Sequence, residues 1–314
     1  MSSEPSGYLV ATDAGGTTVK SAVLRPDLSV VYETRSAMLR EDGPGAARDR
    51  VLAQVRDTVA WGRTHLGERP RAIGLATLGL VDEQAGTAVW SSAVGWRDVP
   101  FRRLVADEHG VPVGFGHDIR AAARAEAQAV AGEPGSSLLF VALGTGIGGA
   151  VVVDGVPLAG GHGRAGEIGH VAVSVGDHAL CPCGQRGCLE TVASARGITE
   201  RFEMLSGRHV AAVDIAAAAL RGEPEASRIW REAIEALAEV FTVCALVVDP
   251  SAIVLGGGLA QSGDQLLAPL RDLLAARHPF GSPPPLLPAV HGDRAALVGA
   301  GLLARDAARD GGRP

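Results

Sequence analysis

SLLFVALGTGIGGAVVVDG, residues 137–155, is a run of apolar residues on either side of a glycine-rich centre. It reads as strand, glycine turn, strand. Residues 144–149, GTGIGG, formally match GxGxxG, but that dinucleotide fingerprint has to open a helix. Here the β-branched AVVVDG follows, so a phosphate-binding hairpin is the better reading. The same order stands near the start of the chain: YLVAT (8–12) as a buried strand, DAGG (13–16) as a turn, VKSAVL (19–24) as a second strand. Two halves that open on similar hairpins predict a duplicated α/β architecture, with strands and helices alternating around a cleft.

The remaining elements fit this plan. Helical spacing runs over 46–65, AIGLATLGLV (72–81) is strand-like, and VPVGFGHD (111–118) is a strand entering a loop. AAARAEAQAVAG (121–132) predicts a helix with a glycine stop. The second half continues with helices at about 189–205 and 226–247. PSAIVLGGGLA (250–260) reads as strand, glycine turn and helix start, and GSPPPLLP (281–288) cannot be helical. The domain break is expected near 118–122. That gives an N-terminal α/β domain over 1–119, closed by a C-terminal helix at about 292–310, and a C-terminal α/β domain over 120–291.

Composition narrows the function. The 314 residues are 46% hydrophobic but only 4% aromatic, so the core must be built from Ala, Val, Leu and Ile. Net charge is −6, with no basic block, which argues against nucleic acid or an anionic membrane as partner. MSSEPSGYLV has neither a basic nor an apolar leader region, and no apolar run approaches the roughly 20 residues of a membrane helix. A cytoplasmic location is expected, where thiols stay reduced and clustered cysteines suggest metal. Lys20 is the only lysine in the chain.

Glycine lets backbone N–H groups approach a phosphate closely. DAGGTT (13–18) adds two hydroxyls and a carboxylate, and Asp13 beside a phosphate calls for a cation between them, making it a candidate Mg²⁺ partner, direct or through water. GGG at 256–258 leaves a buried strand and precedes an expected helix N-terminus, which favours anions. No GxxxxGK[ST] is present. Three such turns together suggest an actin- or hexokinase-like nucleotide cleft. His117-Asp118 ends a strand, where a base can take a proton from an attacking hydroxyl; a helix N-cap is the alternative for Asp118. GEIGH (166–170) and Glu190 interrupt apolar segments, as groups converging on a polar ligand such as a sugar do.

CPCGQRGC (181–188) supplies three soft ligands in one short loop, and structural zinc needs four. Cys244 lies in an apolar helical stretch, where cysteine acts as a small core residue. His162, His170 and His178 are nearer, and His170 is preferred because it belongs to GEIGH.

DAGGT (13–17), GHD (116–118), LGTGIGGA (143–150), GEIGH (166–170), CPCGQRGCLE (181–190) and GGG (256–258) occur in this order over nearly the whole chain. In this the chain resembles the ROK family of sugar kinases and repressors. The resemblance implies a two-domain actin-like ATPase (duplicated ribonuclease H-like) fold with ATP and sugar in the cleft. It implies Asp118 as catalytic base toward the sugar 6-hydroxyl of a hexose or N-acetylhexosamine, and His117, Glu167, His170 and Glu190 as sugar contacts. ATP would be held by Asp13, Gly15, Gly16, Thr17, Gly144, Thr145, Gly146, Gly256, Gly257 and Gly258, with Mg²⁺ near Asp13. Zinc would be bound by His170, Cys181, Cys183 and Cys188, and the family leans toward a homodimer or homotetramer. Its repressors carry an N-terminal helix-turn-helix domain, and the seven residues before the first strand leave no room for one, which favours the kinase branch over a non-enzymatic sugar-responsive regulator. Two departures bear on the sugar: His117-Asp118-Ile119-Arg120 stands where family glucokinases have Asn-Asp followed by Ala-Asn, and Ala93 stands where they have Asn. His117 and Arg120 are therefore expected to put different donors at the pocket rim.

Overall fold

A computed structural model of the chain describes residues 7–130 and 137–311. The chain divides into two compact units. The first runs through Ala125 and takes back Ala159–Arg164 and the residues from Arg294 onward; the second comprises Glu126–Leu158 and Ala165–Asp293.

The first unit is led by strands β1 (Tyr8–Ala14), β2 (Thr18–Leu24) and β3 (Val30–Ala37), then helix α1 (Pro44–Leu66) and strand β4 (Pro70–Thr77). A small sheet of β5 (Leu80–Asp82), β6 (Thr87–Trp90) and β7 (Arg97–Val99) follows, then α2 (Phe101–His109), β8 (Val113–His117) and α3 (Asp118–Val130), whose residues from Glu126 count with the second unit. The main sheet has the order β3-β2-β1-β4-β8. β1 is buried along its whole length, which is why it reads as an unbroken apolar run rather than an alternating one. Val10, Ile73 and Phe115 face Val51 and Val55 of α1 and Phe101 of α2.

The second unit holds β9 (Ser137–Leu143), β10 (Ile147–Val153) and β11 (Val156–Pro157), a 3₁₀ turn at Ile168–His170, and helices α4 (Leu189–Ala193), α5 (Ala195–Ser206), α6 (Ala212–Leu220) and α7 (Pro224–Val248). β12 (Ala252–Gly256), α8 (Asp264–Arg277) and β13 (Leu286–Pro288) complete it. Its sheet order, β11-β10-β9-β12-β13, repeats that of the first unit: an antiparallel hairpin, then parallel neighbours. Leu139, Val141 and Leu255 pack there with Leu189, Phe202, Ile229 and Phe241.

The last helix, α9 (Ala295–Asp310), covers the other face of the first sheet. Its contact residues are small, Ala300 and Ala304 against Ala11, Ala72 and Ala76. The approach is so close that a Cβ on Gly74 would fall 1.9 Å from the carbonyl oxygen of Ala300.

Three expectations change in detail. The strand expected over 72–81 breaks at Leu78-Gly79, where Gly79 takes φ +88°. The helix expected over 189–205 is two helices, because Ser194 is extended and its hydroxyl accepts the Gly197 N–H, a cap that starts a new helix. GGG at 256–258 leads into a 3₁₀ turn, Leu259–Ser262, and the α-helix begins only at Asp264. The expected stop at Gly132 lies outside the described residues. Among the described residues no helix is long and apolar enough to cross a membrane.

Candidate active site and metal centre

In the first unit, β1, β4 and β8 run parallel, so their C-terminal ends share one edge of the sheet. Ala14 and His117 both pair with Thr77. The glycine turn after β1 and the His117-Asp118 junction therefore stand two strand spacings apart, about 9.5 Å. Open α/β sheets bind ligands at this end. Asp13 is buried and pairs across the hairpin with Lys20, whose Nζ lies 4.0 Å from Oδ2. Gly15 closes the turn by donating to Thr18 O at 3.0 Å, and Thr17 is exposed at its tip. A Cβ on Gly16 would lie 3.8 Å from that of Ala93, which puts Ala93 beside the turn.

Asp118 is the first residue of α3. Its Oδ1 accepts the N–H of Ile119 at 2.7 Å and lies 3.5 Å from His117 Nε2. A helix N-cap accepts from two or three residues ahead, so this is not the capping pattern. Oδ2 has no partner among the described residues. The His117 backbone N–H donates to Glu83 Oε1 at 3.0 Å. Arg120 is not a rim donor: it is buried, with Nε donating to the same Glu83 oxygen at 2.9 Å.

In the second unit the turns at 144–146 and 256–258 share the C-terminal edge of the sheet, since Gly256 pairs with Ala142. Their glycines serve different ends. A Cβ on Gly257, which takes φ +87°, would fall 2.3 Å from Leu143 O, so the chain needs glycine there simply to pack. A Cβ on Gly144 would meet nothing nearer than 4.0 Å, which leaves its face open to a ligand. Glu190 buttresses this turn: Oε2 accepts the Ile147 N–H and Oε1 accepts from Arg196 Nη2, both at 2.9 Å. Thr145 is exposed at the tip.

GEIGH packs on the start of β10, where a Cβ on Gly169 would fall 2.1 Å from Ile147 O. Its 3₁₀ turn, Ile168–His170, aims His170 at the cysteine loop. His170 Nδ1 lies 3.6 Å from Cys181 Sγ, and Cys183 Sγ lies 3.6 Å from Cys188 Sγ. All four ligand atoms fall within 4.8 Å of one another. Zn–S bonds of about 2.3 Å in a tetrahedron place neighbouring ligand atoms about 3.8 Å apart, so this Cys₃His set fits zinc. Burial pushes the Cys188 thiol up to about 12, and burial also raises that of Cys181. The exposed Cys183 thiol is instead lowered, chiefly by the Gln185 backbone N–H. Gln185 Nε2 ties the loop down by donating to His170 O at 2.7 Å and Cys188 Sγ at 3.2 Å. His170 Nε2 stays on the opposite side, 3.9 Å from Glu167 Oε2. His162, His178 and Cys244 are outside the cluster, and Cys244 packs against the core from α7.

Glu83, Arg196 and Lys20, the partner of Asp13, were not marked as site residues by the sequence. Only Lys20 carried a signal, as the sole lysine.

The model of the ROK family matches residues 9–307. The chain belongs to the ROK family. This ROK chain is 33% identical over 279 residues to a glucokinase of Halalkalibacterium halodurans, covering 84% of each protein. It is 32% identical to a kanosamine kinase of Amycolatopsis mediterranei, covering 95% of this chain and 96% of that one. A ROK glucokinase of Streptomyces griseus, solved with glucose and AMPPNP, superposes with a TM-score of 0.79 at 28% identity, over 96% of this chain and 100% of that one. The two hairpin-led sheets thus belong to the two-domain actin-like ATPase fold of ROK kinases.

Proposed function

We propose that this ROK protein is an ATP- and Mg²⁺-dependent sugar kinase that phosphorylates the 6-hydroxyl of a hexose. Glucose, N-acetylglucosamine and N-acetylmannosamine are the candidate acceptors, and the likeness to a kanosamine kinase adds that amino sugar. The observation that carries the reading is Asp118. Its carboxylate stands at a strand end near a glycine turn, with Oδ2 uncommitted among the described residues. Asp118 accepts the hydroxyl proton as the sugar oxygen bonds to the γ-phosphorus. The bond from that phosphorus to the bridging oxygen breaks, and ADP leaves with the electron pair.

The turns at 13–17, 144–146 and 256–258 offer backbone N–H groups to the phosphates. Asp13 supplies the oxygen donor that Mg²⁺ prefers, and the metal when bound neutralises phosphate charge. His117, Glu167 and His170 Nε2 meet sugar hydroxyls. Glu190 joins them while holding the 144–146 turn. His170 Nδ1, Cys181, Cys183 and Cys188 would hold zinc, which orders the loop and takes no part in the chemistry. Exchange of Asp118 for Asn tests the reading. Turnover should fall by about 10²–10⁴ with the fold intact. A near-normal kcat would remove Asp118 from the role of base.

A further inference from the structure

Arg120 lies two positions after Asp118, in the first turn of α3, and is only 4% exposed. A buried guanidinium is costly unless its N–H groups are paired. Nε donates to Glu83 Oε1 at 2.9 Å, and Nη1 donates to the carbonyl oxygen of Gly163 at 3.3 Å. Nη2 is buried as well, without a hydrogen-bond partner among the described residues. Glu83 Oε1 also accepts the His117 N–H, so one carboxylate oxygen holds both the guanidinium and the end of β8. Gly163 belongs to Ala159–Arg164, which packs with the first unit although its neighbours in sequence on both sides belong to the second. The chain then runs directly into Gly166-Glu167 and on to His170.

We propose that Arg120 is a positioning residue that determines sugar specificity. It clamps the 159–164 loop to the start of α3, the loop from which the chain runs on to Glu167 and His170. Arginine suits this because its planar fork serves two acceptors in fixed directions, which a lysine ammonium does not. The inference rests on the sugar-kinase reading, but its test has one arm that does not.

The test compares Arg120→Met, Arg120→Lys and Glu83→Gln with the wild type in two measurements. In steady-state kinetics, Arg120→Met should raise the sugar KM about tenfold or more, while the ATP KM and kcat stay near wild type. Arg120→Lys and Glu83→Gln should move it the same way by less. In limited trypsinolysis without substrates, Arg120→Met should be cut faster after the exposed Arg164. An unchanged sugar KM in a folded, active Arg120→Met protein would overturn the proposal. If Arg120→Met does not fold, Arg120→Lys and Glu83→Gln decide by the same criterion. If the wild type phosphorylates no sugar, the kinase reading falls, and trypsinolysis alone judges the clamp: faster cutting supports it and equal rates overturn it.

Discussion

Asp118 stands at the end of a sheet whose strands bond one another residue by residue, whereas the segment from Val171 to Cys188 forms no continuous strand among the described residues, its β pairing being the isolated bridges Ala172↔Cys188 and Leu180↔Arg186. The first region is placed by backbone hydrogen bonds and by α9 pressed against the sheet. The second has scattered backbone bonds, such as Val173 N–H to Gly187 O and Gly187 N–H to Ala179 O, and leans more on side chains: Ser174 on Glu239, Arg201 on Asp177 and Glu232, and Gln185 on His170 and Cys188. The four donors that converge within 4.8 Å would add to this hold with a metal bound between them. The chemical base thus sits on a support that needs no ligand, and the proposed sugar wall on one that a metal completes.

Removing a zinc ligand should break this contrast most severely. Structural zinc contributes roughly 10–16 kcal/mol in small Cys/His peptides, so Cys183→Ala should lose metal and turnover together. Metal analysis beside kinetics reads this, and full sugar affinity in a metal-free sample would refute it. Glu190→Gln should have the next largest effect, because Glu190 ties the 144–146 turn to Arg196. Loss of a charged acceptor costs about 1–3 kcal/mol, so kcat/KM for the sugar should fall about ten- to a hundredfold. An unchanged kcat/KM would reduce Glu190 to a bystander. Gly257→Ala tests a strand-end turn of the second unit's own sheet: its Cβ would meet Leu143 O at 2.3 Å at a positive φ. A destabilisation of about 1–3 kcal/mol is expected in thermal melts, and no change would mean that the turn yields freely. Ser174→Ala should do least. It deletes the 2.6 Å hydroxyl contact to Glu239 on an exposed surface, at a cost of about 1 kcal/mol. Metal content should be retained, and its loss would show that the side-chain anchors, not the donor set, hold the loop.

The hairpins of both units were legible because an apolar run on each side of glycine has few other foldings. The candidate zinc loop was legible from the C-x-C-x₄-C spacing, and GEIGH singled out His170 as fourth ligand; the fold brings His170, and neither His162 nor His178, to the three cysteines. Ser194 carried the cap chemistry that splits 189–205, although the surrounding helical composition masked it. Glu83 left no trace, and Arg120 stood out only as a departure from the family pattern, expected at the rim: the two meet across 37 positions, and neither periodicity nor motif reports a contact between a loop and a helix start. The glycine turns looked alike in sequence, yet Gly257 is explained by packing and Gly144 is not, a distinction that only neighbouring atoms make.

The central claim is that this chain transfers phosphate from ATP to a sugar. Its most direct test is coupled ADP release by the zinc-loaded wild type with glucose, N-acetylglucosamine, N-acetylmannosamine, mannose and kanosamine. The account predicts sugar-dependent ADP release, matched mole for mole by sugar 6-phosphate, with at least one of them. No release above the sugar-free rate with any of the five would contradict it and favour a sugar-responsive regulator built on the same fold.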